Sequence, residues 1–552
     1  MSSPLASRLG TNYSAQDKEI DEIKALLVEP SQKLKRLNDE IAVMRKALDK
    51  LVEERDILST YVDTHQALIS PVRRLHLDIL EAIFMACLPT HRNCVMSAQE
   101  APVILGRICS SWRTISLKTP RLWSRLHIVE PSYPYHLPPG VYQSKVEQRL
   151  EVADAWLRRS KTCPLSISLE SSYDYGMGPP FTHPVTPNAE PFLDILIPFA
   201  SRWQTISLAI SLSAVQTLLR LTENEVPLLK SLMINERLDN PHDISQWTLP
   251  QACILHASGL TEFSLMGRNA HSPDLPLRWS HLTALTLMGS GWGPGGSTVN
   301  PQTCRVVLDI LSRCSELRAC TLLVHAPLDV HLRDFVVECP FLHTFDLFCD
   351  DIPLQVADRL LSHLSLPELR DFKLRGVKLE DPQSAFSADS VLSFLTTLTQ
   401  LESISVDSAI FSKPILINSL HALPPTVLHL TITNPTWRPP GREDAIFDDE
   451  VLEALATFPD RPSHIPALQE VVVHYCPKLS DEALLRFIMS RPTLKLVDIK
   501  FDRERKIDIL PSLQPFTEAG LKTSITYSTL PPPQFSPWQG LPDVPLTLWG
   551  SP

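Results

Sequence analysis

Gly291-Trp292-Gly293-Pro294-Gly295-Gly296 has the letters G-x-G-x-x-G, the spacing that lets a backbone approach a dinucleotide's pyrophosphate, and it follows a strand-like segment ending at Leu287. The context does not fit that chemistry. Pro294 sits inside the motif, residues 297–302 do not open a helix, and no acidic residue closes a second strand about twenty residues later. The segment reads as a turn. His474 and Cys476 offer two soft donors, but zinc sites need three or four, so a structural role is expected. The chain has no G-x-x-x-x-G-K-S/T, no G-x-S-x-G and no H-E-x-x-H, and its 18 histidines are dispersed. The expectation is a protein that is not an enzyme and has no catalytic, cofactor or metal site.

The regularity lies instead in the elements. From Trp203 to Ile499 eleven segments carry an apolar residue, two spacers, an apolar residue, one spacer and an apolar residue. They start at Trp203, Leu229, Leu260, Leu282, Leu317, Leu342, Leu369, Leu401, Val427, Leu468 and Leu494, with spacings from 22 to 41 residues. The final alternation is that of a strand with one face buried. Helix-like stretches such as 306–311 and 481–488 lie between. Leu468, Val471, Val473, Cys476 and Leu479 follow the L-x-x-L-x-L-x-x-C-x-x-L spacing and resemble a cysteine-containing leucine-rich repeat. The fold class expected for residues 201–525 is therefore α/β, an irregular leucine-rich-repeat-like solenoid with a parallel sheet on its concave face. Recognition would fall on loops and outward strand positions such as Glu262, Thr286, Asp346, Lys373, Ser405, Val472 and Asp498.

Residues 16–67 predict a helical arm with a coiled-coil seam. Ile20, Leu27, Leu34, Ile41, Leu48 and Val62 share one heptad position, and Ile23, Leu37, Met44, Leu51 and Leu58 the other. Pro30 and Arg55 interrupt it, and a proline inside a helix costs about 3 kcal/mol. The arm is expected to break near Pro30, with a long helix over 31–67. Two readings stay open: a zipper to a second copy or a partner, and a helix laid on the chain itself.

Between arm and repeats, Ser70 to Leu126 runs SPVRRLHLDILEAIFMACLP and then APVILGRICSSWRTISLKTPRLWSRL. Its first helix, expected over 79–88, is apolar nearly all round, and a module of under sixty residues buries too little surface to cover it. Arg74-Leu75, Asp78-Ile79-Leu80, Ile83-Phe84, Cys87-Leu88, Cys109, Trp112-Arg113, Leu117 and Leu122-Trp123 resemble an F-box of the type abundant in mushroom-forming fungi. The likeness covers about a tenth of the chain. His76 stands where that family has a proline, which weakens the helix start. The resemblance implies an all-α F-box over 70–127 that docks a Skp-type adaptor linked to a cullin scaffold, and a repeat domain that holds a protein substrate. Such a protein is a substrate adaptor of a ubiquitin ligase complex, active by proximity. Adaptor interface and supporting core would come from Leu75, Leu77, Ile79, Leu80, Ile83, Phe84, Leu105, Ile108, Cys109, Trp112 and Trp123. The alternative is a non-ligase interaction scaffold using coiled coil and repeats.

Composition agrees with modular organisation. With 552 residues and 43% hydrophobic content the chain can build several cores, and a net charge of −11 offers nucleic acid or anionic lipid no general attraction. Eleven scattered cysteines without C-x-x-C suit reduced thiols in an intracellular protein, cytoplasmic or nuclear. No leader and no long apolar run is evident, so neither secretion nor a membrane partner is expected. Residues 128–200 read as a linker and capping region, with a helix near 146–159 and a capping strand at 165–169. Residues 526–552 read as a proline-rich tail.

Overall fold

A computed structural model describes residues 13–69, 71–131, 139–171, 189–237, 252–267, 274–289, 303–325, 336–350, 354–376, 389–407, 412–433, 446–457 and 464–527. The chain divides into two compact units, Met1–Ile83 and Phe84–Pro552. The Gly291–Gly296 motif and the proline-rich tail lie outside the described residues.

The first unit holds α1, Asp17–Leu68, one continuous helix of 52 residues. The Glu19 carboxylate accepts from the Gln16 amide at 3.1 Å and closes its first turn. The expected break is absent, and Pro30 lies inside α1. Proline removes one donor and crowds the preceding turn, but strong helix formers flank it: Lys24-Ala25-Leu26-Leu27 before, Lys33 to Leu37 after. A long helix carries such a local penalty once nucleated.

After a 3-10 turn at Pro71–Arg74 comes α2, Leu77–Ala86. The His76 carbonyl accepts from the Leu80 amide at 3.1 Å, so the helix starts without a proline there. In the second unit α3 spans Leu105–Ile108 and α4 spans Ser110–Lys118, followed by a 3-10 turn at Pro120–Trp123. Cys109 caps α4, its sulfur accepting from the Trp112 amide at 3.4 Å. The Phe84 and Trp112 rings lie 4.7 Å apart, and Phe84, Leu88, Leu105, Leu122 and Trp123 form the buried centre.

The polypeptide passes straight from Trp123 into the sheet. Its strands are β1 (Arg125–Val129), β2 (Leu165–Glu170), β3 (Trp203–Ser211), β4 (Ser231–Arg237), β5 (Glu262–Met266), β6 (Ala284–Met288) and β7 (Ala319–His325). A short β8 (Val337–Glu338) precedes β9 (Thr344–Asp350), and a short β10 (Leu364–Ser365) precedes β11 (Asp371–Arg375). Then come β12 (Ser403–Asp407), β13 (His429–Thr433), β14 (Glu470–His474), β15 (Leu496–Phe501) and β16 (Lys522–Tyr527). β8 and β10 pair with each other, and the other fourteen form one sheet in chain order, parallel at every pairing. All eleven sequence segments are strands of it. β2, expected as the cap, has β1 outside it, and β16 extends the other end.

Among the described residues, helices or 3-10 turns lie between most successive strands, among them Cys304–Arg313, Leu354–Ser362, Lys413–Ala422 and Asp481–Ser490. Between β4 and β6 the helical elements among the described residues are the 3-10 turns Cys253–His256 and Trp279–His281, and the second lies in the shortest spacing, Leu260 to Leu282. In register, Phe345, Phe372, Ile404, Leu430, Val471 and Val497 make one buried row across six strands. This is a leucine-rich-repeat-like solenoid of mixed α/β class. At its N-terminal end α5, Pro139–Arg159, packs on the sheet, and the buried Glu130 carboxylate accepts from Tyr142 Oη at 3.1 Å and Ser171 Oγ at 2.5 Å. Burial and that carboxylate push the Tyr142 phenol up to about 12.

Gly376 closes β11 with φ +74°, where an added Cβ would collide with the Cys349 carbonyl oxygen. Its amide donates to Asp407 Oδ2 at 2.7 Å, and Asp407 Oδ1 accepts from Thr433 Oγ1 at 2.6 Å, tying three neighbouring strands. Gly376→Ala is expected to cost about 1–3 kcal/mol through backbone strain, read as a lower urea midpoint. An unchanged midpoint would remove Gly376 from the determinants of this turn.

Candidate protein-docking surfaces

The residues singled out between Leu75 and Trp123 fall into two roles by burial. Leu80, Phe84, Leu105 and Trp123 are core. Leu77 (57% exposed), Ile79 (45%) and Ile83 (39%) project from α2 into solvent, and in the second unit Ile108 is 57% exposed. Leu75, Cys109 and Trp112 are half-buried. Residues 79 and 83 are one helical turn apart and share a face, whereas 80 and 84 share the buried face. Ile104 and Leu117, at 39% and 42%, are further exposed apolar side chains of the second unit. Sequence reasoning missed Ile104 as a site residue. Leu117 belonged to the quoted pattern, and the i, i+4 spacing of Ile104 to Ile108 was the signal available for the other.

The rim of this segment is polar and organised. Arg92 and the Glu100 carboxylate form an ion pair, and Glu100 also accepts from the Val95 amide at 3.0 Å. The Arg92 contact holds the Glu100 carboxyl below its usual range against the opposing effect of burial. Arg125 donates to the Pro89 carbonyl at 2.7 Å, so the loop after α2 is fastened to the first strand. Burial pushes the Cys94 thiol up to about 11, which leaves it an inert core group.

The second surface is the face of the sheet opposite the helices. Among the outward positions named from sequence, Glu262 is exposed, and Thr286, Asp346, Lys373, Ser405, Val472 and Asp498 are half-exposed. One cross-strand row reads Ser168, Ser207, Met233, Ser264, Thr286 and Thr321, then Asp346, Lys373, Ser405, Thr431, Val472 and Asp498. Its first half is therefore uncharged. Charge begins at β9: Asp346 pairs with Arg375, Lys373 Nζ lies 3.4 Å from Asp371, and Arg370 lies 3.6 Å from Glu402. Farther on, His429 Nδ1 lies 2.9 Å from Glu470 and His474 Nε2 lies 3.4 Å from Asp498. Among the described residues, Asp346 Oδ1, Asp371 Oδ1 and Arg375 Nε are enclosed and have no hydrogen-bond partner.

His474 is thus engaged with a carboxylate, and the Cys476 sulfur faces the core, 3.7 Å from the Lys500 carbonyl. All eleven cysteines are free thiols, and burial raises Cys339 to about 11 and Cys314 and Cys476 to about 12. No helix among the described residues is long and apolar enough to cross a membrane.

No family model and no curated protein matches the chain. Among solved structures, a leucine-rich repeat-containing protein of Legionella pneumophila is similar at 16% identity over 47% of this chain and 89% of its own, with TM-score 0.24. A Bacteroides fragilis protein is similar at 12% identity over 48% and 65%, with TM-score 0.26. The TLR13–ssRNA13 complex gives 12% identity over 59% and 45%, with TM-score 0.27. The solenoid is defined by its strand order and register.

Proposed function

We propose that the chain is the substrate-recognition subunit of a Skp-cullin-F-box ubiquitin ligase, holding an adaptor through the segment around α2 and a protein substrate on the solenoid. The observation that carries the reading is α2 itself: Leu80 and Phe84 on one side fill a core, Ile79 and Ile83 on another side stay exposed, and Leu77 is exposed in the first turn. An apolar helix side of that kind is what an adaptor groove takes. The chain supplies no covalent chemistry. It raises the local concentration of a target lysine near a charged ubiquitin, which is a gain in proximity.

Magnitudes set the demand on the rest of the interface. Full burial of a large aliphatic side chain gives about 1.5–3 kcal/mol, so three that are already about half covered give roughly 2–5 kcal/mol. Association costs about 4–15 kcal/mol, so further contacts must come from neighbouring half-buried groups and polar rim. The exposed positions are also the cleaner test. Ile79→Asp and Ile83→Asp are expected to abolish co-purification with a Skp-type adaptor while the solenoid's melting stays unchanged. Co-purification at the unsubstituted level would refute the assignment. Trp112→Ala is a poorer probe, because Trp112 packs on Phe84 and its loss disturbs the module core.

A second reading is favoured by one observation, the long exposed seam of α1: a non-ligase scaffold that joins partners through arm and repeats. Mixing the purified protein with adaptor and cullin separates the two. A stable ternary complex supports the ligase reading, and self-association indifferent to adaptor supports the scaffold.

A further inference from the structure

α1 is 52 residues long, about 78 Å at 1.5 Å per residue, and its seam is not covered. Nine of the eleven seam residues, from Leu27 to Val62, are between 41% and 63% exposed. An apolar row of that length needs a cover with the same periodicity. The charges flanking the seam identify the cover as the chain's own kind. With Ile20 and Leu27 at heptad position a, the g positions carry Glu19, Lys33, Glu40 and Glu54, and the e positions five residues later carry Lys24, Asn38, Arg45 and Ser59. A parallel, in-register pair sets each g side chain against that e side chain of the other copy. Glu19 then meets Lys24 and Glu40 meets Arg45, twice each by symmetry, and no like charges face one another across g and e.

An antiparallel pair sets e against e and g against g. The cations at e and the mostly acidic g row then lose these matches. Arg55, the charged residue at an a position, bears on register. The in-register pair sets it against the Arg55 of the other copy, with Glu54 at the adjoining g position of each copy to offset that repulsion, whereas a one-heptad shift would bury each Arg55 against Leu48 or Val62 with no polar group across the seam. We infer that α1 forms a parallel, in-register two-stranded coiled coil with a second copy of this chain, placing the two α2 segments at the same end of the rod. The inference is independent of what docks on α2.

The test uses the full chain. Sedimentation equilibrium at micromolar concentration is expected to give a dimer. Leu27→Cys and Val62→Cys, near opposite ends of the seam, are each expected to give a disulfide-linked dimer under mild oxidation, while Glu53→Cys, on the outer face, stays at the background of the unsubstituted protein. Arg45→Glu is expected to raise the dimer dissociation constant about tenfold, and Glu40→Arg with Arg45→Glu to restore it, because only a parallel pair re-forms the reversed charge match. A monomer overturns the inference, as it would if α1 lay on its own chain. A dimer that cross-links in neither the Leu27→Cys nor the Val62→Cys variant, or is not restored by the charge swap, overturns the parallel register.

Discussion

Asp481→Ala is expected to destabilise the C-terminal end of the solenoid by about 3–5 kcal/mol, the range for removing one partner of a buried ion pair. The Asp481 side chain is fully enclosed. Its oxygens accept from Arg503 at 3.0 and 3.2 Å, from the amides of Lys506 and Ile507 at 3.2 and 3.1 Å, and from Tyr527 Oη at 2.9 Å. Arg503 is held in turn by the Leu479 carbonyl at 2.7 and 2.9 Å and lies over the Phe501 ring at 4.3 Å. One carboxylate thus joins the helix Asp481–Ser490, the loop after β15, and β16. Without it Arg503 and two amides lose their acceptor inside the protein, and β16, the edge strand, should detach first.

The same carboxylate gives a pH signature. Burial pushes Asp481 up, but the Arg503 guanidinium, the Ile507 amide and the Tyr527 hydroxyl outweigh it and hold the group below the usual carboxylate range. A folded-state pKa below the unfolded value of about 3.9 means stabilisation that is fully present above that value and lost as pH falls through the lower folded value. Urea midpoints of the unsubstituted protein should therefore fall below about pH 4 by an increment that Asp481→Ala lacks. Equal acid slopes in the two proteins would remove the carboxylate from this role.

How much of this was legible follows the range of each interaction. The eleven strands were readable because their apolar spacing is local and repeats, and the arm was readable because its heptads are. β1 escaped because Arg125–Val129 adjoins a segment read as helical, and β16 escaped because Lys522–Tyr527 carries Thr523 at the register position of Val497, which breaks the apolar spacing. Pro30 misled because a local penalty was weighed without the helix on both sides of it. The Asp481 network was invisible, since its partners lie 22 to 46 residues away in other repeats. For the docking segment, residue types were readable but the division into covered and exposed sides was not. Leu80 and Ile79 are neighbours in sequence and differ only in where the helix turns them.

Trp123→Ala is expected to lower stability by about 3–5 kcal/mol, the cost of a large cavity in a packed core. Trp123 is 3% exposed, its Nε1 donates to the Ser116 carbonyl at 2.8 Å, and its ring meets Trp156 of α5 edge-on at 4.8 Å. The Arg159 guanidinium covers it at 4.7 Å. The ring is therefore the joint through which α4 rests on α5 and the start of the sheet. Trp123→Phe keeps most of the packing and drops only the donor, so about 1–3 kcal/mol is expected for the carbonyl left unpaired. The ordering of the two variants in urea unfolding is the check: a Phe variant as unstable as the Ala variant would show that the hydrogen bond, not the packing, holds the joint. On the adaptor role proposed for α2, Trp123→Ala is also expected to weaken capture, although Trp123 is buried and every outward residue of α2 is intact. Retained capture at full strength would mean that α2 docks without support from the solenoid.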